Sequence, residues 1–83
     1  MGSIWKEENN ALVANISFKS FEEAMRFIQE CVPAIEELNH HPEWSNVYNK
    51  ILIKLTTHDS GNVVTAKDRK LAKQLEEIYC KCQ

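Results

Sequence analysis

The chain has 83 residues, 43% of them hydrophobic, and a net charge of -2 from 10 Lys and Arg against 12 Asp and Glu. That length supports one core, so residues 1-83 read as a single domain burying about 60 to 65% of the surface its unfolded form exposes. Cations lie scattered among acids and no aromatics interleave with Arg, so direct binding of nucleic acid is not expected. No apolar run approaches the roughly 20 residues of a membrane span, and no secretory signal precedes a cleavage site. Cys31, Cys80 and Cys82 are an odd number of cysteines, which argues against a disulfide framework and for a reducing, cytoplasmic setting.

At the N-terminus, Ile4 to Glu8 and Ala11 to Phe18 read as two strands joined at Asn9-Asn10, since Asn tolerates the left-handed turn conformations such a hairpin requires. Leu12, Ala14, Ile16 and Phe18 alternate onto one face. Ser20 followed by Glu23 is a capping box that opens a helix. Its apolar face is predicted from Phe21, Ala24, Met25, Ile28, Cys31, Val32, Ile35 and Leu38, recurring at three and four residues. Pro33 removes a backbone donor inside that helix, which predicts a kink or break near residues 29-33.

From Val47 to His58 the chain alternates as one long strand or a bent pair, with Ile51, Ile53 and Leu55 toward the helices and His58 at the strand's end, pointing away. Asp59 to Asn62 then make a turn, and Thr65 with Asp68 caps a second helix. The buried stripe of that helix is read as Leu71, Ala72, Leu75, Ile78, Tyr79 and Cys82. The order β-β-α-β-β-α implies an α+β fold, an antiparallel sheet with both helices on one face. An apolar stripe running to the C-terminus and sheet edges left uncovered in so short a chain predict a homodimer or homotetramer.

All three histidines gather in two places: His40 and His41 before Pro42, and His58 after Thr56 and Thr57. Histidine both donates and accepts a proton near neutral pH, so this grouping points to acid/base chemistry. For His40 and His41 a helix end stopped by Pro42 is the plainer explanation. A zinc site of His40, His41 and His58 is another, against which stand the adjacency of two of the three and the lack of a CxxC or helical HxxxH pattern. No metal is therefore expected.

Glu36, His40, His41, Pro42, Tyr48, His58 and Asp68, with the flanking text from Asn39 to Lys50 and from Leu55 to His58, resemble the pterin-4a-carbinolamine dehydratase family. The resemblance spans residues 5-82. It implies dehydration of 4a-hydroxytetrahydrobiopterin to quinonoid dihydropterin in tetrahydrobiopterin recycling, with no cofactor. His40 and His58 become the candidate acid/base pair and His41 an orienting group. Glu36 would fix a histidine tautomer or supply charge, Trp44 would wall the pocket beside Pro42 or pack beneath the loop, and backbone groups around Thr56 and Thr57 would meet the pterin's amino-oxo edge. The Thr65 cap makes Asp68 read as a helix-capping residue. Longer family members carry a helix before the Trp5 position, so that helix is expected to be absent. The family resemblance also raises two alternatives, a coactivator-type dimerisation partner and a pterin-binding role in molybdopterin metabolism.

Overall fold

A computed structural model describes residues 4-58 and 61-81. The N-terminal hairpin forms as expected, with β1 at Trp5–Glu8 and β2 at Ala11–Ser17 paired antiparallel. Asn9 and Asn10 both hold positive φ, 50° and 62°, so the two asparagines supply the left-handed pair that a tight turn demands. Two further strands, β3 at Glu43–Val47 and β4 at Lys50–Leu55, complete a sheet of order β1-β2-β4-β3. Of the two forms expected from Val47 to His58, the pair of strands is the one present, as a hairpin that starts earlier, at Glu43, and folds back at Tyr48, whose φ is 53°. Alternation alone hid this turn because Tyr48 and Asn49 keep the period of two across it.

The strands alternate as one covered face requires. Leu12, Ala14 and Ile16 of β2 and Ile51, Ile53 and Leu55 of β4 are buried, while Asn15, Ser17, Leu52 and Lys54 are exposed. Two helices, α1 at Phe21–Leu38 and α2 at Ala66–Lys81, supply the other half of the core. The first helix begins at the predicted cap: the Glu23 amide donates to Ser20 Oγ at 3.2 Å, and Glu23 Oε2 accepts from the Lys19 amide at 3.2 Å.

The buried line of α1 is Ala24, Phe27, Cys31 and Ile35. Phe27, absent from the expected stripe, is fully buried, whereas Phe21 and Val32 are 47% and 46% exposed. The steps of three, four and four residues through Phe27 follow the helical period more closely than the wider set did, and the wider set straddled two faces. Truncating Phe27 to Ala is expected to destabilise the fold by about 3 to 5 kcal/mol. The predicted break at Pro33 does not occur, since α1 is continuous from Phe21 to Leu38. Pro33 and Gln29 are both exposed, so the carbonyl that loses its donor faces water. Cys31 and Ile35, on either side of the proline, both belong to the core.

Along α2, Leu71, Ala72 and Leu75 are buried as expected. Tyr79 is not a leftover apolar end seeking a second copy of the chain. Its ring meets Phe18 and Phe27 edge-on with centroids 5.3 and 6.0 Å away, and its hydroxyl donates to the Ser17 carbonyl at 3.2 Å. Cys82, the last residue of the expected stripe, lies outside the described residues. At its other side α2 is held to β1 by the Trp5 indole, which donates to the Ala72 carbonyl at 3.0 Å.

Candidate active site

The first helix ends on Asn39 rather than on Pro42. Asn39 takes the left-handed conformation, φ 50° and ψ 42°, and its amide donates back to the Glu36 carbonyl at 3.2 Å. That reversal, a helix stop of the αL type, turns His40 back toward α2. There His40 Nε2–H donates to Asp68 Oδ1 at 2.5 Å, with the His40 side chain 13% exposed and the Asp68 side chain not exposed at all.

Asp68 is the hub. Its second oxygen, Oδ2, accepts from the Thr57 hydroxyl at 2.7 Å and from the Thr65 amide at 2.9 Å. The expected cap is thus present, and the same carboxylate also orients a histidine. Burial alone would push the Asp68 carboxyl up, but hydrogen bonds from His40, Thr57 and the Thr65 amide, together with the charge of His40, outweigh it and hold the group below its ordinary value. Thr57 reaches this position because it continues the inward parity of Ile51, Ile53 and Leu55 beyond the end of β4.

His58 does not stand at the end of a strand. The last strand stops at Leu55, and Thr57 and His58 are then tied to residues 61-63: the Thr57 amide donates to the Val63 carbonyl, the Asn62 amide to the Thr57 carbonyl and the Gly61 amide to the His58 carbonyl, each at 3.0 Å. Gly61 sits at φ 86° with nothing within 4 Å of an added Cβ, so backbone conformation rather than space calls for glycine. In this loop His58 Nδ1–H donates to Asn62 Oδ1 at 2.6 Å. An amide oxygen only accepts, which places the proton on Nδ1 and leaves Nε2 available. Likewise the His40 bond to Asp68 leaves Nδ1 as that ring's open nitrogen.

Asn39, His40, His41, Thr56, Thr57, His58 and Lys67 line one open cavity of about 260 Å³. Two roomier clefts, of about 380 and 300 Å³, lie between the helices and between β1 and α2, and neither has a histidine in its lining. Acid/base groups rather than volume make the smaller cavity the candidate site. Of the residues expected from sequence, His40, His41, His58, Thr56 and Thr57 come together here. Glu36 lies outside the lining, exposed, with its carboxylate 3.9 Å from His41 Nε2. Pro42 is also outside it. Trp44 faces the core from β3, opposite Ile53, and also borders a shallow hollow with Leu52 and Lys54. The expected pairing edge is reduced as well, because the Thr57 amide already bonds Val63. Thr56 sends its hydroxyl to the Asn10 carbonyl at 3.2 Å.

Three contributors went unrecognised among the candidate residues. The role of Asp68 was masked by its cap signature. Asn62 carried no signal beyond a turn, and Lys67 none at all. Among the described residues no three His, Cys, Asp or Glu side chains converge as metal ligands.

A sequence profile described as Pterin 4 alpha carbinolamine dehydratase matches residues 2–78. The chain belongs to this family. A protein of Opitutus terrae named "Putative pterin-4-alpha-carbinolamine dehydratase" is 49% identical over 74 residues, 89% of this chain and 76% of that relative. One of the same name from Sinorhizobium medicae is 47% identical over 76 residues, which span 92% of this chain but only 64% of that relative. The family fold is equally plain in a solved structure, the transcriptional coactivator/pterin dehydratase from Brucella melitensis. It superposes with a TM-score of 0.85 at 35% identity, covering 90% of this chain and 81% of that one. A pterin dehydratase-like protein identified as a RuBisCO assembly factor in the alpha-carboxysome shares the fold, with a TM-score of 0.76 at 20% identity over 93% of this chain and 89% of that one. No helix among the described residues is long and apolar enough to cross a membrane.

Proposed function

We propose that this chain dehydrates a 4a-hydroxytetrahydropterin, the carbinolamine of tetrahydrobiopterin recycling, to the quinonoid dihydropterin and water. The observation that carries the reading is two imidazoles at one cavity, each with one nitrogen fixed by a hydrogen bond and the other open. Dehydration needs two proton transfers. One proton goes to the departing hydroxyl at C4a, so that the C–O bond breaks and water leaves. The other comes off N5, whose electrons form the C4a=N5 double bond.

His40 is assigned the acid, because the charge a proton brings to it is met by the Asp68 carboxylate 2.5 Å away. His58, facing a neutral amide, is assigned the base at N5 through Nε2. His41 orients the pterin, with Glu36 as its charge partner. Thr56 and Thr57 meet the amino-oxo edge, Thr56 through its backbone and Thr57 through the second lone pair of a carbonyl that already accepts from the Asn62 amide. Pro42 shapes the turn that presents the histidines, and Trp44 supports that turn from below. No step calls for a cofactor or a metal ion, and a strong chelator is expected to leave the rate unchanged.

The setting proposed is cytoplasmic, as a homodimer or homotetramer joined through a sheet edge. Both β1 and β3 are edges of the sheet, and Val47 and Tyr48 at the end of β3 are 73% and 66% exposed, the kind of uncovered edge that pairing removes. Light scattering should give at least twice the 9.6 kDa of one chain. A second reading, a coactivator-type interaction protein, draws on the double description of the Brucella relative. A synthetic 4a-hydroxytetrahydropterin followed by its absorbance separates the two. Accelerated loss is expected of a dehydratase, and an unchanged rate would reject the enzyme.

A further inference from the structure

We propose that Thr57 is a positioning residue for both imidazoles of the cavity, an inference that rests on the dehydratase reading of that cavity. Its hydroxyl aims the Asp68 carboxylate at His40, and its backbone holds the residue that orients His58. Among the described residues the buried polar side chains are Thr57 and Asp68, and they bond each other. Thr57 follows Ile51, Ile53 and Leu55 in inward parity. Valine has the same branched shape and would extend that apolar stripe. A buried hydroxyl in its place has to be spent on a partner.

The direction of each bond follows from what the groups can do. An ionised carboxylate only accepts, so the Thr57 hydroxyl spends its one proton on Asp68 Oδ2 at 2.7 Å. The Thr65 hydroxyl, 2.7 Å from Thr57 Oγ1, is then the donor of that contact. Its own approach to Oδ2 is 3.5 Å, at the limit of a hydrogen bond. The two hydroxyls form a chain that runs toward the carboxylate, each bond polarising the next. With Thr57 and the Thr65 amide both on Oδ2, the carboxylate is fixed about its Cβ–Cγ bond. Its Oδ1 is left facing His40 Nε2–H at 2.5 Å.

The same residue reaches His58 through the backbone. The Thr57 carbonyl accepts from the Asn62 amide and the Thr57 amide donates to the Val63 carbonyl, both at 3.0 Å. Asn62, so held, presents Oδ1 to His58 Nδ1–H at 2.6 Å. One residue thus stands between the supports of the two rings, with its hydroxyl on the His40 side and its peptide groups on the His58 side. Side-chain substitution separates the two links, because the backbone bonds survive it. The hydroxyl touches no reacting atom and acts through Asp68 and His40.

The test is Thr57→Val, which deletes the hydroxyl and keeps the shape, beside Thr57→Ser, which keeps the hydroxyl. Groups that orient metal-bound imidazoles from behind contribute about 10- to 100-fold. The Thr65 amide still steadies Oδ2, so kcat for a 4a-hydroxytetrahydropterin is expected to fall about tenfold in Thr57→Val. KM should stay within about twofold, because the Thr57 carbonyl is unchanged, and Thr57→Ser should recover most of kcat. A second readout needs no substrate. Nitrogen NMR of the neutral imidazoles should show the His40 proton on Nε2 in the wild type and in Thr57→Ser, and a mixture of tautomers in Thr57→Val. His58 should be unchanged in all three. Wild-type kcat or an unchanged His40 tautomer in folded Thr57→Val would overturn the assignment, as would a loss confined to KM or one that Thr57→Ser shares. If Thr57→Val does not fold, Thr57→Cys, whose thiol is a weak donor, carries the same expectations. If the wild-type chain turns over no carbinolamine, the dehydratase reading fails, and the tautomer comparison alone decides whether Thr57 sets His40.

Discussion

His40 and His58 are held by hydrogen bonds of nearly the same length, 2.5 and 2.6 Å, yet they sit in opposite surroundings. One bonds a carboxylate with no exposed surface, and the other bonds an amide in an exposed loop. Bond length therefore says little about what each contact contributes. A buried donor left without its acceptor costs about 1 to 3 kcal/mol, because water cannot replace what was lost, whereas an exposed donor finds water at once. Both contacts orient a ring, and only the first also holds the fold together.

Removing either imidazole erases the comparison and has the largest effect. His40→Ala and His58→Ala are each expected to slow dehydration about 10² or more, since positioned acid/base groups contribute about 10² to 10⁴. Wild-type turnover in either variant would remove that histidine from the chemistry. Asp68 separates the two regions next. Asp68→Ala strands His40 Nε2–H and the Thr65 amide and leaves the Thr57 hydroxyl only its contact with Thr65 Oγ1, and should destabilise the chain by about 3 kcal/mol in urea unfolding. Asp68→Asn keeps the volume and should lower kcat about 10- to 100-fold with a smaller loss of stability.

Acid should expose the same difference. The folded-state carboxyl of Asp68 titrates below its ordinary value, so between the two values the unfolded chain binds more protons. The stabilisation is complete above the ordinary value of about 3.9 and is lost as pH falls below it. Urea midpoints at pH 6 and pH 3 should differ more in the wild type than in Asp68→Asn. An identical drop in both would mean that other carboxyls dominate. Smallest of all is Asn62→Ala, expected to lower kcat a few-fold with less than about 0.5 kcal/mol of destabilisation, because His58 and Asn62 are exposed.

Both histidine groups at the cavity are read from the sequence, but neither hydrogen-bond partner, Asp68 for His40 and Asn62 for His58, is anticipated there. The fold class, the caps at Ser20 and Thr65 and the inward parity through Leu55 follow from local patterns, and local patterns are what a sequence displays. The bounds of β3 were hidden because its turn at Tyr48 uses a residue that does not signal turns. Phe27 was passed over because a generous apolar stripe absorbed its neighbours. The pairing of His40 with Asp68 joins residues 28 apart, and the capping signature at Asp68 already accounted for its acidity. A residue with one sufficient local explanation gives no hint of a second, distant one.

That second use of Asp68 ties chemistry to the fraying of a helix end. The carboxylate that closes the first turn of α2 through the Thr65 amide also anchors the His40 imidazole. Each local opening of that turn therefore releases His40, and the competent fraction of molecules is set by the opening free energy of a few residues rather than by global unfolding. Deuterium exchange at the Thr65 amide is the direct reporter of that equilibrium. Substitutions that loosen the turn should depress turnover well before they lower the melting temperature.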